Sequence, residues 1–410
     1  MRSIVFRSAL TLLVLMAVVI FSCNATAYNA ALISAYFSLA LACGVIVLLG
    51  LRKWPVDAAL MIASGVLLAL TDYLLLGYEW YFMSMFSFLG LGAIAVLGVR
   101  SIWSEGRERT LLLCGLIPLV LSVVSEWMAS SLLDLTEKLH PGTLDLFLYY
   151  FDGSLGIQAS FALGRMFAHW MWLREISLIF YIGLPIPLTL VYVRHLLNKG
   201  RQALPMIAIF LITGPVGVIF YNLFPAAGPI HIFGKQFPFS PLTDAQLSHL
   251  LLQPTPLHAL RNAIPSLHMT WVLLAWWNSK GLSLVTRTIA FFFLFFTVLA
   301  TLGTGEHYLI DLILAFPFAL MLQSIPSLVA WRREGAAPFC FGLGAVLLWM
   351  ALLRFTPNFF WLSRAIPWTL VSATIGVSVW LKKQLDPPGV VFFKTEEEDL
   401  TETPQLVTTT

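Results

Sequence analysis

Charge is scarce in this chain. Asp, Glu, Lys and Arg make up 11% of its 410 residues, while hydrophobic residues make up 59%. A soluble domain carries roughly 25% charged residues. Together with a mean hydropathy of +0.85, that deficit excludes an ordinary soluble fold and leaves a polytopic membrane protein. Cysteine is nearly absent too. Cys23, Cys43, Cys114 and Cys340 sit in or beside apolar runs with no motif spacing. Such residues are small buried hydrophobes, and they supply neither a disulfide framework nor a zinc site. The absence of a cysteine framework also favours a bacterial membrane over the secretory pathway. The formal net charge is only +3, and no nucleic-acid partner is expected. Internal repeats are lacking.

The long apolar runs are what remains. Twelve segments stand out, over 4–22, 30–51, 58–77, 81–99, 111–128, 176–193, 204–224, 265–278, 284–302, 307–327, 339–353 and 365–381. The expected fold is therefore all-α, an integral membrane helical bundle of about twelve transmembrane helices. Arg2 and Arg7 before the first segment, with Ala25-Thr26-Ala27 after it, fit a signal peptide as well as a first span. An uncleaved span is the expectation, because more spans follow. With the N-terminus cytoplasmic, 17 of the 24 Lys and Arg residues fall on the inner side, as the positive-inside rule demands. The expected regions are N-terminal accessory helices over 1–135, a catalytic core over 145–330, C-terminal accessory helices over 336–384 and a disordered cytoplasmic tail over 385–410. That tail holds the acidic run Glu396 to Asp399 and a Thr-rich end.

Two histidines carry the chemistry. His268 and His307 both stand where an apolar run begins, 39 residues apart. A crossing takes about 20 residues, so the intervening chain crosses and returns, and both histidines are expected at the outer face. Two long outer loops, roughly 129–174 and 225–264, lie at that same face. Asp311 is four residues after His307 and lies beneath it on a helix. Pro265 suits a first helical turn. Ser266 and His268 then sit at a helix start whose free N–H groups favour an anion, and Arg261 just before it is a candidate phosphate fork. In this arrangement His307 attacks phosphorus, Asp311 steadies the other ring nitrogen, and His268 gives a proton to the leaving oxygen. The step needs no metal and no cofactor. A different reading makes His268, His307 and Asp311 a proton relay in a lipid transporter. The placement of both histidines at one face, and the lack of an inverted repeat, weigh against it. His169, His195, His231, His249 and His258 read as interfacial polar residues, and Lys235 as a loop charge.

Pro265-Ser266-Leu267-His268 and His307-Tyr308-Leu309-Ile310-Asp311 resemble two signature motifs of the type-2 phosphatidic acid phosphatase superfamily. Their form is similar to that of the inositol phosphorylceramide synthase and sphingomyelin synthase branch. Phe224-Pro225-Ala226-Ala227-Gly228-Pro229 and Phe151-Asp152-Gly153-Ser154-Leu155-Gly156 resemble the same branch. The resemblance, over about 145–327, implies a phosphatidic acid phosphatase-like core. It makes His307 the nucleophile, Asp311 its support and His268 the acid. It also implies a membrane lipid as substrate and a lipid alcohol as an acceptor in the transferase form. The phosphatases' Lys and Arg-Pro motif is absent, and Ala300 and Thr301 stand in place of their Ser-Arg pair. Phosphate contacts are therefore expected from Arg261 and Ser266, then from Arg165 and Asp152. The missing pair moves the expectation toward transfer rather than plain hydrolysis. The expected location is a bacterial inner membrane, with the site facing the periplasm.

Overall fold

In the computed structural model, residues 35–52, 54–75 and 82–385 are described, with Arg7 and Thr11. The expected first span and the expected tail after Leu385 lie outside them. The described residues are all-helical, save two strands of two residues each, and the chain is an integral membrane protein. Among the described residues seven stretches are long and apolar enough to cross a membrane, and one of these, Pro185–Leu223, holds two helices.

Four helices come first: α1 (Ala35–Leu51), α2 (Pro55–Leu75), α3 (Phe82–Trp103) and α4 (Gly106–Leu139). Close glycine approaches let α1, α2 and α3 pack. A side chain at Gly90 would collide with the Leu41 carbonyl, and one at Gly92 with that of Met61. At one end of these helices the buried Asp57 carboxylate pairs with Arg52 at 2.5 Å and Arg100 at 2.6 Å. Arg52 reaches Glu108 as well, and Arg201 reaches Thr110. Basic residues expected on one membrane side thus meet at one end of the bundle.

The outer loop after α4 folds into short helices α5 (Asp145–Ser154), α6 (Ala159–His169) and α7 (Met171–Ile182), followed by α8 (Pro185–Lys199) and α9 (Leu204–Leu223). A long connection carries α10 (Pro229–Phe233) and α11 (Asp244–Ser248), and then come α12 (Leu267–Asn278), α13 (Leu284–Gly303), α14 (Leu309–Val329), α15 (Ala336–Phe355) and α16 (Ala365–Gln384). Helix α14 is apolar all round and buried on nearly every side, as the centre of a bundle must be. Helices α9, α12, α15 and α16 pack around it. Two strands, Gly142–Thr143 and Thr255–Pro256, pair antiparallel with Gly142 opposite Pro256, and they tie the two outer loops together.

Three expected spans differ from what the fold builds. Segment 176–193 is two helices, α7 and α8, broken at Gly183 and Leu184. Pro185 and Pro187 follow the break, and neither has an N–H to continue the ladder. Segment 111–128 is part of α4, which runs 34 residues and so extends about 50 Å. Segment 265–278 yields only the 12 residues of α12, about 18 Å long, which is short of a full crossing.

Candidate active site

The site is built where the head of α12 meets the loop that leads into α14. Ser266 caps α12, its hydroxyl accepting the Met269 N–H at 3.4 Å. Its own N–H donates to the Asp311 carbonyl at 3.1 Å, which locks the two helix heads together. The same hydroxyl lies 3.2 Å from Nε2 of His307. Nδ1 of His307 lies 2.9 Å from the Ala263 carbonyl and 3.4 Å from Oδ2 of Asp311. A carbonyl can only accept, so Nδ1 carries the hydrogen and Nε2 holds a lone pair to which Ser266 donates. His307, Ser266 and Asp311 are all buried.

His268 sits on the first turn of α12. Its Nδ1 is 3.1 Å from the Tyr181 hydroxyl. The two rings are stacked, 4.0 Å between centroids and 22° apart, and Trp271 meets the imidazole edge-on at 6.2 Å. His268 is also within electrostatic reach of His307.

The frame around His307 is made by carboxylates and main chain. The Asp152 carboxylate accepts the N–H groups of Leu309 at 2.8 Å and Ile310 at 3.3 Å, and so caps α14 from a residue distant in sequence. Asp311 accepts the N–H of Tyr308 at 2.8 Å. The Asp145 carboxylate accepts the N–H groups of Ala227 and Gly228, the latter at 2.7 Å. The loop it holds lies against the loop that carries His307. The Ile230 N–H donates to the Gly305 carbonyl at 2.9 Å. Gly228 has φ +110°, and a side chain there would collide with the Glu306 carbonyl. The buried hydroxyl of Ser160 donates to the His307 carbonyl at 2.7 Å.

Two expected phosphate contacts are used otherwise. Arg261 is fully buried. Its guanidinium donates to the His140 carbonyl at 3.0 and 2.7 Å, to the Leu257 carbonyl at 2.7 Å and to the Ala259 carbonyl. It holds the outer loops instead of opening a fork to the site. Its fixed donors satisfy carbonyls of the 257–259 loop and of His140. Asp152 likewise uses both oxygens on the α14 amides. Arg165 is exposed, with a long bond of 3.5 Å to the Pro238 carbonyl. Among the described residues, no three His, Cys, Asp or Glu side chains are grouped to hold a metal.

A buried histidine with its Nδ1 held by a carbonyl, a helix head beside it and a second histidine are the features to set against known families. Residues 146–325 match the PAP2 superfamily. The matched stretch runs from α5 into α14 and contains Asp152, Ser266, His268, His307 and Asp311, while Asp145 stands one residue before it. Helices α1 to α4 lie outside it, as do α15 and α16. No curated protein and no solved structure matches the chain.

Asp145, Ser160, Tyr181 and the Ala263 carbonyl were not singled out from sequence. Asp145 stands seven residues before Asp152, and that acidic pair in an apolar outer segment is the one signal that pointed to it. Two consequences are measurable. Asp152→Ala removes the α14 cap and is expected to cost about 1–2 kcal/mol, seen as a lower melting temperature with part of that loss recovered in Asp152→Asn. The second concerns His231, whose Nε2 lies 3.5 Å from Oε2 of Glu306. The hydrogen bond that the ring donates to Glu306 lifts the His231 imidazole above its ordinary value of 6.5, against the opposing effect of burial. A raised imidazole pKa stabilises the fold fully below 6.5, and that contribution is lost as pH rises through the raised value. Melting curves of wild type and His231→Gln are therefore expected to differ at pH 6 and to converge at pH 8.5.

Proposed function

We propose that the protein is a membrane-embedded lipid phosphotransferase or phosphatase that works through a phosphohistidine on His307. The observation that supports this most directly is the His307 contact set. A main-chain carbonyl holds Nδ1–H, so Nε2 is the free nucleophilic nitrogen, and it faces the hydroxyl at the head of α12. The similarity of residues 146–325 to the PAP2 superfamily supports a phosphatase or phosphotransferase class.

In the proposed reaction the lone pair of Nε2 forms a bond to phosphorus while the bond from phosphorus to the lipid oxygen breaks. His268 gives its proton to that oxygen. Charge that develops on the ring is shared through Nδ1–H with the Ala263 carbonyl and the Asp311 carboxylate. The N–H groups of the first α12 turn, at the positive end of the helix, balance the charge on the phosphoryl oxygens. Water or a lipid alcohol then attacks phosphorus, the bond to nitrogen breaks, and the attacker's proton goes to His268. Motifs similar to those of the sphingolipid synthases favour transfer of a phosphorylated head group, of the inositol-phosphate type, onto a lipid alcohol. Hydrolysis of a lipid phosphate is the same chemistry with water as the acceptor. The site is proposed to face the extracytoplasmic side, where the distribution of Lys and Arg puts both histidines.

The test uses detergent-purified protein without added metal, offered phosphatidic acid, an isoprenyl phosphate, and phosphatidylinositol together with ceramide. Free phosphate and new lipid species are followed together. Phosphate release marks a phosphatase, and a new phospholipid without free phosphate marks a transferase. No turnover of any of these lipids would count against the proposal. Vesicle flux of an unmodified lipid would replace it with transport.

A further inference from the structure

We infer that Tyr181 is a positioning residue for His268, fixing a proton on Nδ1 so that Nε2 is the nitrogen that gives and takes protons in the reaction. This rests on the reading of His268 as the acid proposed above. Tyr181 is at the end of α7, and His268 is on the first turn of α12, so the contact joins two elements far apart in sequence. It has two parts. The hydroxyl is 3.1 Å from Nδ1. The phenol ring lies face to face with the imidazole, with centroids 4.0 Å apart. Trp271, one turn further along α12, closes the edge of the imidazole. A ring held by one stacked face, one perpendicular ring and a hydrogen bond has little freedom to rotate.

The chemistry follows from the hydroxyl's double character, since it can both donate and accept. When His268 is an imidazolium, both ring nitrogens carry hydrogen, and the Tyr181 oxygen accepts Nδ1–H. When Nε2 gives its proton to the leaving oxygen, the neutral ring retains Nδ1–H and the same bond to Tyr181. Nε2 is then a lone pair, ready to take the proton of the incoming water or alcohol. No proton passes to Tyr181 at any point. A carboxylate in the same place would bind the imidazolium too tightly to release its proton, whereas a neutral phenol orients the ring without that penalty. Among the described residues, the titratable groups that face His268 include Tyr181 from α7 and His307 from the loop before α14. A half-buried phenol beside an imidazole that alternates between charged and neutral forms suits that setting.

The experiment pairs kinetics with a readout that needs no turnover. Tyr181→Phe keeps the stacked ring and removes only the hydroxyl. With phosphatidic acid in detergent micelles as the probe, kcat is expected to fall about 10- to 100-fold with KM nearly unchanged. The alkaline limb of the pH–rate profile is expected to move to lower pH, because the imidazolium loses a hydrogen bond. Unchanged kcat and an unchanged profile would overturn the inference. In full-length protein labelled with nitrogen-15 histidine, the Nδ1 resonance of His268 is expected to shift in Tyr181→Phe while those of His307 stay in place. A His268 resonance that does not move overturns the inference whether or not phosphatidic acid is turned over. If that resonance shifts while wild type turns over no lipid phosphate, the contact stands and the enzymatic reading fails.

Discussion

His307→Gln is expected to lower turnover by at least about a thousandfold while leaving the protein folded. Glutamine is near the size of histidine, and its amide N–H can still donate to the Ala263 carbonyl. What it lacks is a basic nitrogen able to bond to phosphorus. Because His307 is buried between Ser266, Ala263 and Asp311, the change is confined to the ring and the melting temperature should move little. Asp311→Asn should be milder. The main-chain carbonyl at 2.9 Å remains to hold Nδ1–H, and the carboxylate is the more distant partner at 3.4 Å. A His307→Gln protein with wild-type turnover would remove the nucleophile from the proposed mechanism. The comparison is made by single-turnover assay on the lipid that wild type converts.

Arg261→Met is expected to be the most destabilising substitution in the outer loops. The guanidinium supplies donors to the carbonyls of His140, Leu257 and Ala259. Methionine fills much of the volume but donates nothing, so three carbonyls lose a charged partner away from water. Each such loss costs about 1–3 kcal/mol, and the sum is on the order of 3 kcal/mol or more. A fall in melting temperature of roughly 3 °C or more follows for a chain of this size. Lysine should not rescue it, since one ammonium cannot reproduce a planar fork. A phosphate ligand would behave differently, with Arg261→Met raising KM and leaving the melting temperature unchanged.

The sequence made part of this molecule legible. Pro265-Ser266 before an apolar run, and His307 with Asp311 four residues on, are local patterns. Their return to one place follows from a length of chain sufficient to cross and come back, and the structure does bring Ser266 to His307. The helical class was legible for the same reason, because apolar runs of this length in a chain so poor in charge have few alternatives. Other features were not. The role of Arg261 turned on the direction of its guanidinium, which is set by unpaired carbonyls in a turn that no side-chain pattern reports. Asp152 reads as a phosphate contact, yet its partners are amides at Leu309 and Ile310, across a separation that only the tertiary fold closes. The break at Gly183 was masked by the hydropathy of both flanks, since a window that averages apolar residues does not register two prolines. Tyr181 gave no local signal, because its partner is on another helix.

The Ala263 carbonyl has a consequence for how this site can change over time. The oxygen belongs to the peptide unit, and the neighbouring amide of Ala263 is itself anchored on the Ala226 carbonyl at 3.1 Å. No exchange of one amino acid for another deletes that oxygen, and an alanine scan passes over the position because it is already alanine. The tautomer of His307 is thus inherited with the path of the backbone. Side chains around it can drift without the chain having to rebuild the partner that fixes the hydrogen of His307.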